Sequence, residues 1–309
     1  MSKKLLIISG PTATGKTDLA IKFAKKFDGV LISADSRQIY RGMDIGTGKD
    51  HPKDFKINLV DLINPNLSFS VAQYQKLALQ KIIEIHSQNK LPIIVGGTGQ
   101  YIDSIINPDK STYSIKPNNF LRFFLNKLST PTIQKIYKIL DKKNFDSLNN
   151  SEQHNPHRLI RKIEIKLSGR DVARYVSTKK SNFNILHLSL LAPTSFLYPR
   201  IDARVQKRLD IGFLDEIKNL LKKYSRTDPG LNTLAYKEFK DYFNKSIETP
   251  RGASLLKNCQ EKWRYDEHAY ARRQITWFKK QNNIHFIDIT DSKYMTRTRD
   301  MVKKWYNLS

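Results

Sequence analysis

Gly10-Pro11-Thr12-Ala13-Thr14-Gly15-Lys16-Thr17 has GxxxxGK(S/T) spacing and is the segment of this sequence best equipped for chemistry. Its two flanking glycines permit backbone angles that a side chain forbids. The amides of such a loop converge on one anion at a helix N-terminus. Lys16 adds a positive charge, and the Thr17 hydroxyl can meet a phosphate oxygen or a bound magnesium ion. The loop is therefore expected to hold a polyphosphate. The spacing alone does not say whether that group belongs to a nucleotide.

Three further groupings carry chemical potential. Asp35-Ser36-Arg37-Gln38 follows an apolar run. A carboxylate there can act as a general base or orient a metal-bound water, and it can equally cap the next turn. The Gln38 amide suits a bidentate contact with adenine. Arg200, Arg204 and Arg208 recur at four-residue spacing beside the apolar stripe Ile201, Val205, Leu209 and Ile217. A guanidinium row can hold a diphosphate in fork geometry, or simply form a solvated basic face. From Trp263 to Lys280 a helical stretch brings Arg272, Arg273, Thr276 and Lys280 to one side, a composition suited to a nucleic-acid backbone. Tyr270, Trp277 and Phe278 of the same stretch suit a core. The seven histidines are scattered and show no ligand spacing.

The elements that must position these groups follow from the patterning. Leu5 to Ile8, Val30 to Ser33 and Leu91 to Val95 are short apolar runs separated by helical segments. Such alternation predicts an α/β fold with a P-loop-like parallel sheet covered on both faces. A strand is also predicted over Ile57 to Asp61, and a helix capped by Ser70 runs to about Gln88. Gly10, Asp35 and Thr98 all come just after strands, where ligands of such sheets sit, so one cleft is expected to hold them. Residues 113–180 carry little strand signal and read as a helical insertion, with Leu159, Ile160, Ile163 and Leu167 as the buried stripe of one helix. Residues 1–112 and 181–309 form the core, with later strands at Ile185 to Leu190 and, on the edge, Ile284 to Asp288.

Lys+Arg is 54 against 29 for Asp+Glu, a formal net charge of +25. That excess suits a surface that neutralises phosphodiesters. Cys259 is the only cysteine among 309 residues, so no intramolecular disulfide can form and a thiolate zinc site is not expected. No apolar stretch approaches the ~20 residues of a membrane span. No signal peptide pattern opens the sequence. A cytoplasmic monomer with no membrane partner is expected.

The blocks GPTATGKT, ISADSRQIYRGMDIGTGK, SFSVAQYQ, PIIVGGTGQYI, HRLIRKIEI, YPRIDARVQKRLDIGFLDEIKNLL and YARRQITWFKK resemble the tRNA dimethylallyltransferases over nearly the whole chain. The resemblance implies transfer of a dimethylallyl group from dimethylallyl diphosphate to the exocyclic amine of the adenine 3′-adjacent to the tRNA anticodon, with magnesium as cofactor. It implies a general base at Asp35, with Thr17 and Arg204 also catalytic and Thr17 on the metal. It implies diphosphate binding by Gly10, Thr12, Ala13, Thr14, Gly15, Lys16, Thr17 and Arg200. It further implies that the anticodon stem-loop meets Asp35, Ser36, Arg37, Gln38, Thr98, His157, Arg158, Leu159, Ile160, Arg161, Tyr236, Arg272, Arg273, Gln274, Thr276, Trp277 and Lys279, and that the insertion contacts tRNA. The sequence departs from the pattern at Arg37, Ile57-Asn58, Gln100 and Ala235, which bears on substrate fit.

Other readings share parts of this set. In a P-loop kinase of small molecules the same loop would bind ATP, which leaves the basic C-terminal helix unexplained. An RNA-binding protein without activity would have no use for Lys16, Thr17 and Asp35 together. An enzyme that prenylates free adenine nucleotides shares the loop and the base but has no need of the charge excess.

Overall fold

The computed structural model describes residues 3–49, 55–108, 115, 117–169, 182–243 and 250–308. Two compact units divide the chain: residues 1–105 with 182–309, and residues 106–181.

In the larger unit, β1 (Lys3–Ser9) runs into the glycine loop and α1 (Lys16–Lys26), followed by β2 (Gly29–Ser33) and the short β3 (Ile57–Asn58). Next come α2 (Val71–Ser87), β4 (Leu91–Gly96) and α3 (Gly99–Ile106). Ser70 accepts from the Gln73 amide and Gln73 accepts from the Ser70 amide, a capping box that fixes where α2 starts. The smaller unit contains α4 (Asn119–Leu125), α5 (Thr130–Leu140), α6 (Lys142–Asp146), α7 (Asn150–Gln153) and α8 (Pro156–Leu167). The chain then returns through β5 (Phe183–Leu191), α9 (Thr194–Asp210), α10 (Phe213–Leu221), a 3-10 turn at Lys237–Phe239, α11 (Pro250–Lys279), β6 (His285–Asp288) and α12 (Tyr294–Asn307).

The six strands form one sheet in the order β3-β2-β4-β1-β5-β6, and every pairing is parallel. Leu6 lies between Ile93 and Leu186 in register. Leu5, Leu6, Ile7 and Ile8 are all fully buried, as expected when helices cover both faces. One core layer packs Leu6, Ile8, Leu31 and Leu188 against Leu19 and Phe23 of α1 and Val302 of α12. Strand β1 is thereby locked, and with it the start of the glycine loop. The strand predicted over Ile57 to Asp61 ends at Asn58. Leu59 and Asp61 adopt φ of 62° and 54°, which breaks the pleat, and the backbone turns to pair Leu62 and Ile63 with the Ile39 carbonyl.

Leu125, Ile133, Tyr137, Phe145, Leu159, Ile160 and Ile163 form the core of the smaller unit. Leu167, expected on that stripe, is 55% exposed, because the last turn of α8 extends past the cluster. Glu164 is buried there instead. It accepts from Arg122 at 2.6 and 2.7 Å, from Arg161 at 3.0 Å and from the Asn118 amide at 2.9 Å.

Candidate active site

The glycine loop is shaped by its own polar groups. The Pro11 carbonyl accepts from Thr14 Oγ1 at 2.9 Å and from Lys16 Nζ at 2.6 Å, curling the chain around one point. Gly10 has φ 137°, and a Cβ there would lie 2.3 Å from the Leu190 carbonyl oxygen, so only glycine lets the loop leave β1 beside β5. Gly15 occupies the N-cap position of α1 in the left-handed region, with no side chain capping the helix. The positive end of the α1 dipole therefore opens on a cavity of about 420 Å³, lined by Thr12, Ala13, Gly15, Lys16, Thr17 and Asp18 on this side. Thr14 is buried and holds the loop rather than lining the cavity.

The opposite wall comes from the ends of β2 and β4. Asp35 lines the cavity, and its Oδ1 accepts from the Arg37 amide at 2.9 Å, so the carboxylate both caps its own turn and faces the space in front of the loop. Thr98 Oγ1 accepts from the Ser36 amide at 3.0 Å and donates to Ser36 Oγ at 3.3 Å, which ties the two strand ends together. Gln38 also lines the cavity, but its amide is engaged internally: Oε1 accepts from Ser33 Oγ at 3.1 Å and Nε2 donates to the Gly48 carbonyl at 3.2 Å. An adenine contact by Gln38 would have to displace those bonds.

Helix α9 supplies the cationic wall. Arg200 Nε donates to the Ala13 carbonyl at 2.9 Å and Arg204 Nη1 to Thr12 Oγ1 at 3.3 Å, so both guanidinium groups sit against the phosphate loop. The arginine row thus lines the site, passing from an exposed Arg200 through a half-buried Arg204 to a buried Arg208. Arg208, one turn further along, is buried and also lines the cavity. It shares the Glu267 carboxylate of α11 with Arg37, at 3.5 and 3.3 Å. Burial opposes ionisation of Glu267, but Arg37 and Arg208 outweigh it and hold its pKa below the usual carboxylate value. Arg37 is only 8% exposed and stacks over the Tyr270 ring at 4.6 Å.

Sequence reasoning missed two fasteners. Glu216 of α10 accepts from the amides of Asp44, Ile45 and Gly46 at 2.8, 2.7 and 3.0 Å and from the Tyr236 hydroxyl at 2.6 Å, pinning the loop after Asp35. Lys49 is buried and donates to the Tyr40 carbonyl at 2.6 Å and to Asp44 at 2.7 Å, with Asp61 also paired to it. The only hint was the glycine-rich composition of residues 42–48.

Several residues expected to touch tRNA are occupied elsewhere. Gln274 is buried: its Oε1 accepts from the Thr12 amide at 2.9 Å and its Nε2 donates to the Gly97 carbonyl at 3.0 Å, so it braces the phosphate loop against the end of β4. Leu159 and Ile160 face the core of the helical unit, and Tyr236 is 3% exposed with its hydroxyl on Glu216. Packing takes Leu159, Ile160 and Tyr236 away from an RNA surface, while Gln274 and Arg37, though buried and engaged internally, still line the cavity. Arg161 is half-buried between Glu164 and the Ile115 carbonyl. His157, Arg158, Arg272, Arg273, Thr276 and Lys279 are exposed. Arg272 is braced by donating to the Tyr198 hydroxyl at 2.6 Å, and Trp277 is half-buried, over Gly99 and edge-on to Phe278.

The oxygen donors around the loop fit magnesium. The Thr17 hydroxyl and the Asp18 and Asp35 carboxylates line one cavity, and among the described residues no group of three or more His, Cys, Asp or Glu is arranged to cage a metal. An ion that keeps its waters and leans on substrate phosphates needs only such a partial shell. No helix among the described residues is long and apolar enough to cross a membrane.

A parallel sheet with a glycine loop, a carboxylate and an arginine wall around one polar cavity at its carboxyl end defines an α/β fold with its site where ligands of such sheets sit. Comparison with known proteins narrows this. The family model described as IPP transferase matches residues 38–281. The tRNA dimethylallyltransferase of Finegoldia magna is 35% identical over 318 residues, covering 99% of this chain and 98% of that protein. That of Roseiflexus sp. (strain RS-1) is 34% identical over 307 residues, covering 97% and 98%. The crystal structure of the full-length tRNA isopentenylpyrophosphate transferase from Bacillus halodurans superposes with a TM-score of 0.70 at 30% identity, covering 98% of this chain and 96% of that one. The chain belongs to the IPP transferase family.

Proposed function

We propose that the protein transfers a dimethylallyl group from dimethylallyl diphosphate to the exocyclic amine of the adenine 3′-adjacent to the tRNA anticodon, releasing pyrophosphate. The observation that carries this reading is a single cavity in which Asp35 faces the glycine loop and the Arg200–Arg204 wall. A carbon–nitrogen bond forms at the primary allylic carbon as its carbon–oxygen bond breaks, and that electron pair leaves with pyrophosphate. The amine is a weak nucleophile because its lone pair is delocalised into the ring, so Asp35 takes its proton as the bond forms. Lys16, Thr17, the loop amides, Arg200 and Arg204 receive the charge that grows on the leaving diphosphate.

Magnesium bound by Thr17 would supply further charge neutralisation at the same oxygens. The target base leaves its stack to enter the cavity. Arg272, Arg273, Thr276 and Lys279 on α11 hold the RNA backbone. In the helical unit, His157 and Arg158 are exposed and suited to backbone contacts of their own. The +25 charge favours RNA over a free adenine nucleotide as acceptor. The test is release of pyrophosphate on mixing protein, magnesium, dimethylallyl diphosphate and tRNA, with and without ATP. The reading expects equal release in both. No pyrophosphate in either mixture, with ADP formed wherever ATP is present, would establish the kinase reading in its place.

A further inference from the structure

Arg208 and Glu267 lie at the edge of the site described above without a part in the reaction as written. Arg208 sits one helical turn beyond Arg204, is 8% exposed and lines the cavity. Its Nη1 donates to the Gly46 carbonyl at 3.3 Å and pairs with Glu267 at 3.5 Å, and the guanidinium lies over the Trp263 ring at 5.9 Å. Its Nη2 lies elsewhere: a Cβ on Gly48 would be 2.0 Å from Nη2 of Arg208 and 3.1 Å from Nη2 of Arg204. Two guanidinium edges therefore converge on the cavity wall beside Gly48, whose φ of 63° and lack of a side chain make room for them.

The local charge stays positive without a ligand. Glu267 is 2% exposed and is shared by Arg37 and Arg208, Asp35 acts on Arg37 as well, and Arg204 adds a third cation nearby, so three guanidinium groups face two carboxylates. Burial, with Arg204 next in importance, pulls the Arg208 pKa down to about 10. Buried like charges are retained at a cost unless something anionic joins them. The cavity they line is the one that takes the diphosphate in the reading above, on which this inference rests.

We propose that Arg208 is a further diphosphate-binding group of this site, and that Glu267 is the positioning residue that holds its guanidinium in the cavity wall. Glu267 holds Arg37 by the same carboxylate oxygen, and the Arg37 amide in turn fixes Asp35. The base and the wall that receives the leaving group are thus braced by one side chain.

The test is calorimetric titration of inorganic pyrophosphate with magnesium into the folded wild type and the Arg208→Met, Arg208→Lys, Glu267→Gln and Lys16→Ala variants, alongside thermal melting and tRNA affinity. Arg208→Met is expected to weaken pyrophosphate about tenfold or more, since a charge-assisted fork is lost. Arg208→Lys should recover part of that loss, and tRNA affinity and its salt slope should not move. Glu267→Gln is expected to weaken pyrophosphate although Arg208 is intact, and to add little in the Arg208→Met background. Should Glu267→Gln not fold, Arg208→Met decides, because it keeps the Arg37–Glu267 pair. Pyrophosphate affinity within twofold of wild type in Arg208→Met, with Lys16→Ala impaired, would overturn the proposal and leave the reaction standing. Failure of the wild type to transfer a dimethylallyl group would overturn the reaction, and the pyrophosphate titrations would still report on Arg208.

Discussion

Replacing Gln274 by leucine separates a brace of the phosphate loop from a contact to RNA. The side chain is buried and makes two bonds, from the Thr12 amide at 2.9 Å and to the Gly97 carbonyl at 3.0 Å. Leucine is of similar size but leaves the buried Gly97 carbonyl without its donor and the half-buried Thr12 amide open to the cavity. A buried orphaned group costs about 1–3 kcal/mol. That is a measurable share of a typical domain stability of about 5–15 kcal/mol. At about 2–4 °C per kcal/mol for a unit of this size, the melting temperature should fall by roughly 2–12 °C. Thr12 also meets Arg204, so the Michaelis constant for dimethylallyl diphosphate should rise in the same variant at a temperature where it is folded. The assay is thermal melting, donor kinetics and a salt titration of tRNA affinity on one preparation. A variant that melts with the wild type, binds donor normally and loses salt dependence would show that Gln274 reaches the RNA and that the bracing argument is wrong.

Asp35→Ala should lower turnover by about two to four orders of magnitude while tRNA binding changes little, measured by single-turnover transfer beside filter binding. Lys16→Ala should raise the Michaelis constant for dimethylallyl diphosphate and also slow turnover, read from initial rates. Replacing Arg272 and Arg273 together by alanine should lower the slope of log tRNA affinity against log salt by about two units, one per lost phosphate contact. Arg204→Ala should leave that slope unchanged. Glu238, buried and set beside Asp266, has its pKa raised from 4.5 to about 7, chiefly by burial. A carboxyl group raised in the folded state binds its proton more tightly there than when unfolded. Its contribution to stability is therefore full below pH 4.5 and is lost as the pH rises towards 7. Melting temperatures of Glu238→Gln and wild type, followed from about pH 5 to about pH 8, should show that this fall is reduced in the variant.

What the sequence made legible was local. The phosphate loop, the Ser70 cap and the apolar strands are read from residues within a few positions of each other, because spacing alone sets their geometry. Asp35 lines the cleft because parallel sheets put their ligands at strand ends, whereas Thr98, expected beside it, is not among the lining residues and ties the strand ends together through Ser36. The fasteners were not legible. Glu216 meets the amides of residues 44–46, Gln274 meets Thr12, and Glu267 joins Arg37 to Arg208 across long stretches of chain with no periodicity to announce them. For the same reason Tyr236 reads as an RNA contact, and the internal bonds of Gln274 and Arg37 go unseen: polar or aromatic residues look alike in sequence whether their partner is a phosphate or a buried group of the protein. Leu167 was misplaced by the converse error, because periodicity does not say where the packing partner ends.

The most direct test of the central claim is the chemical identity of the product. The purified protein, with magnesium and labelled dimethylallyl diphosphate, is given tRNA or adenosine monophosphate, and the products are digested to nucleosides and analysed by mass spectrometry. The account predicts one dimethylallyl group on the exocyclic nitrogen of a single adenine, 3′-adjacent to the anticodon, in the tRNA reaction, with almost none in Asp35→Ala. Label carried by adenosine monophosphate in preference to tRNA, or by no adenine at all, would contradict it.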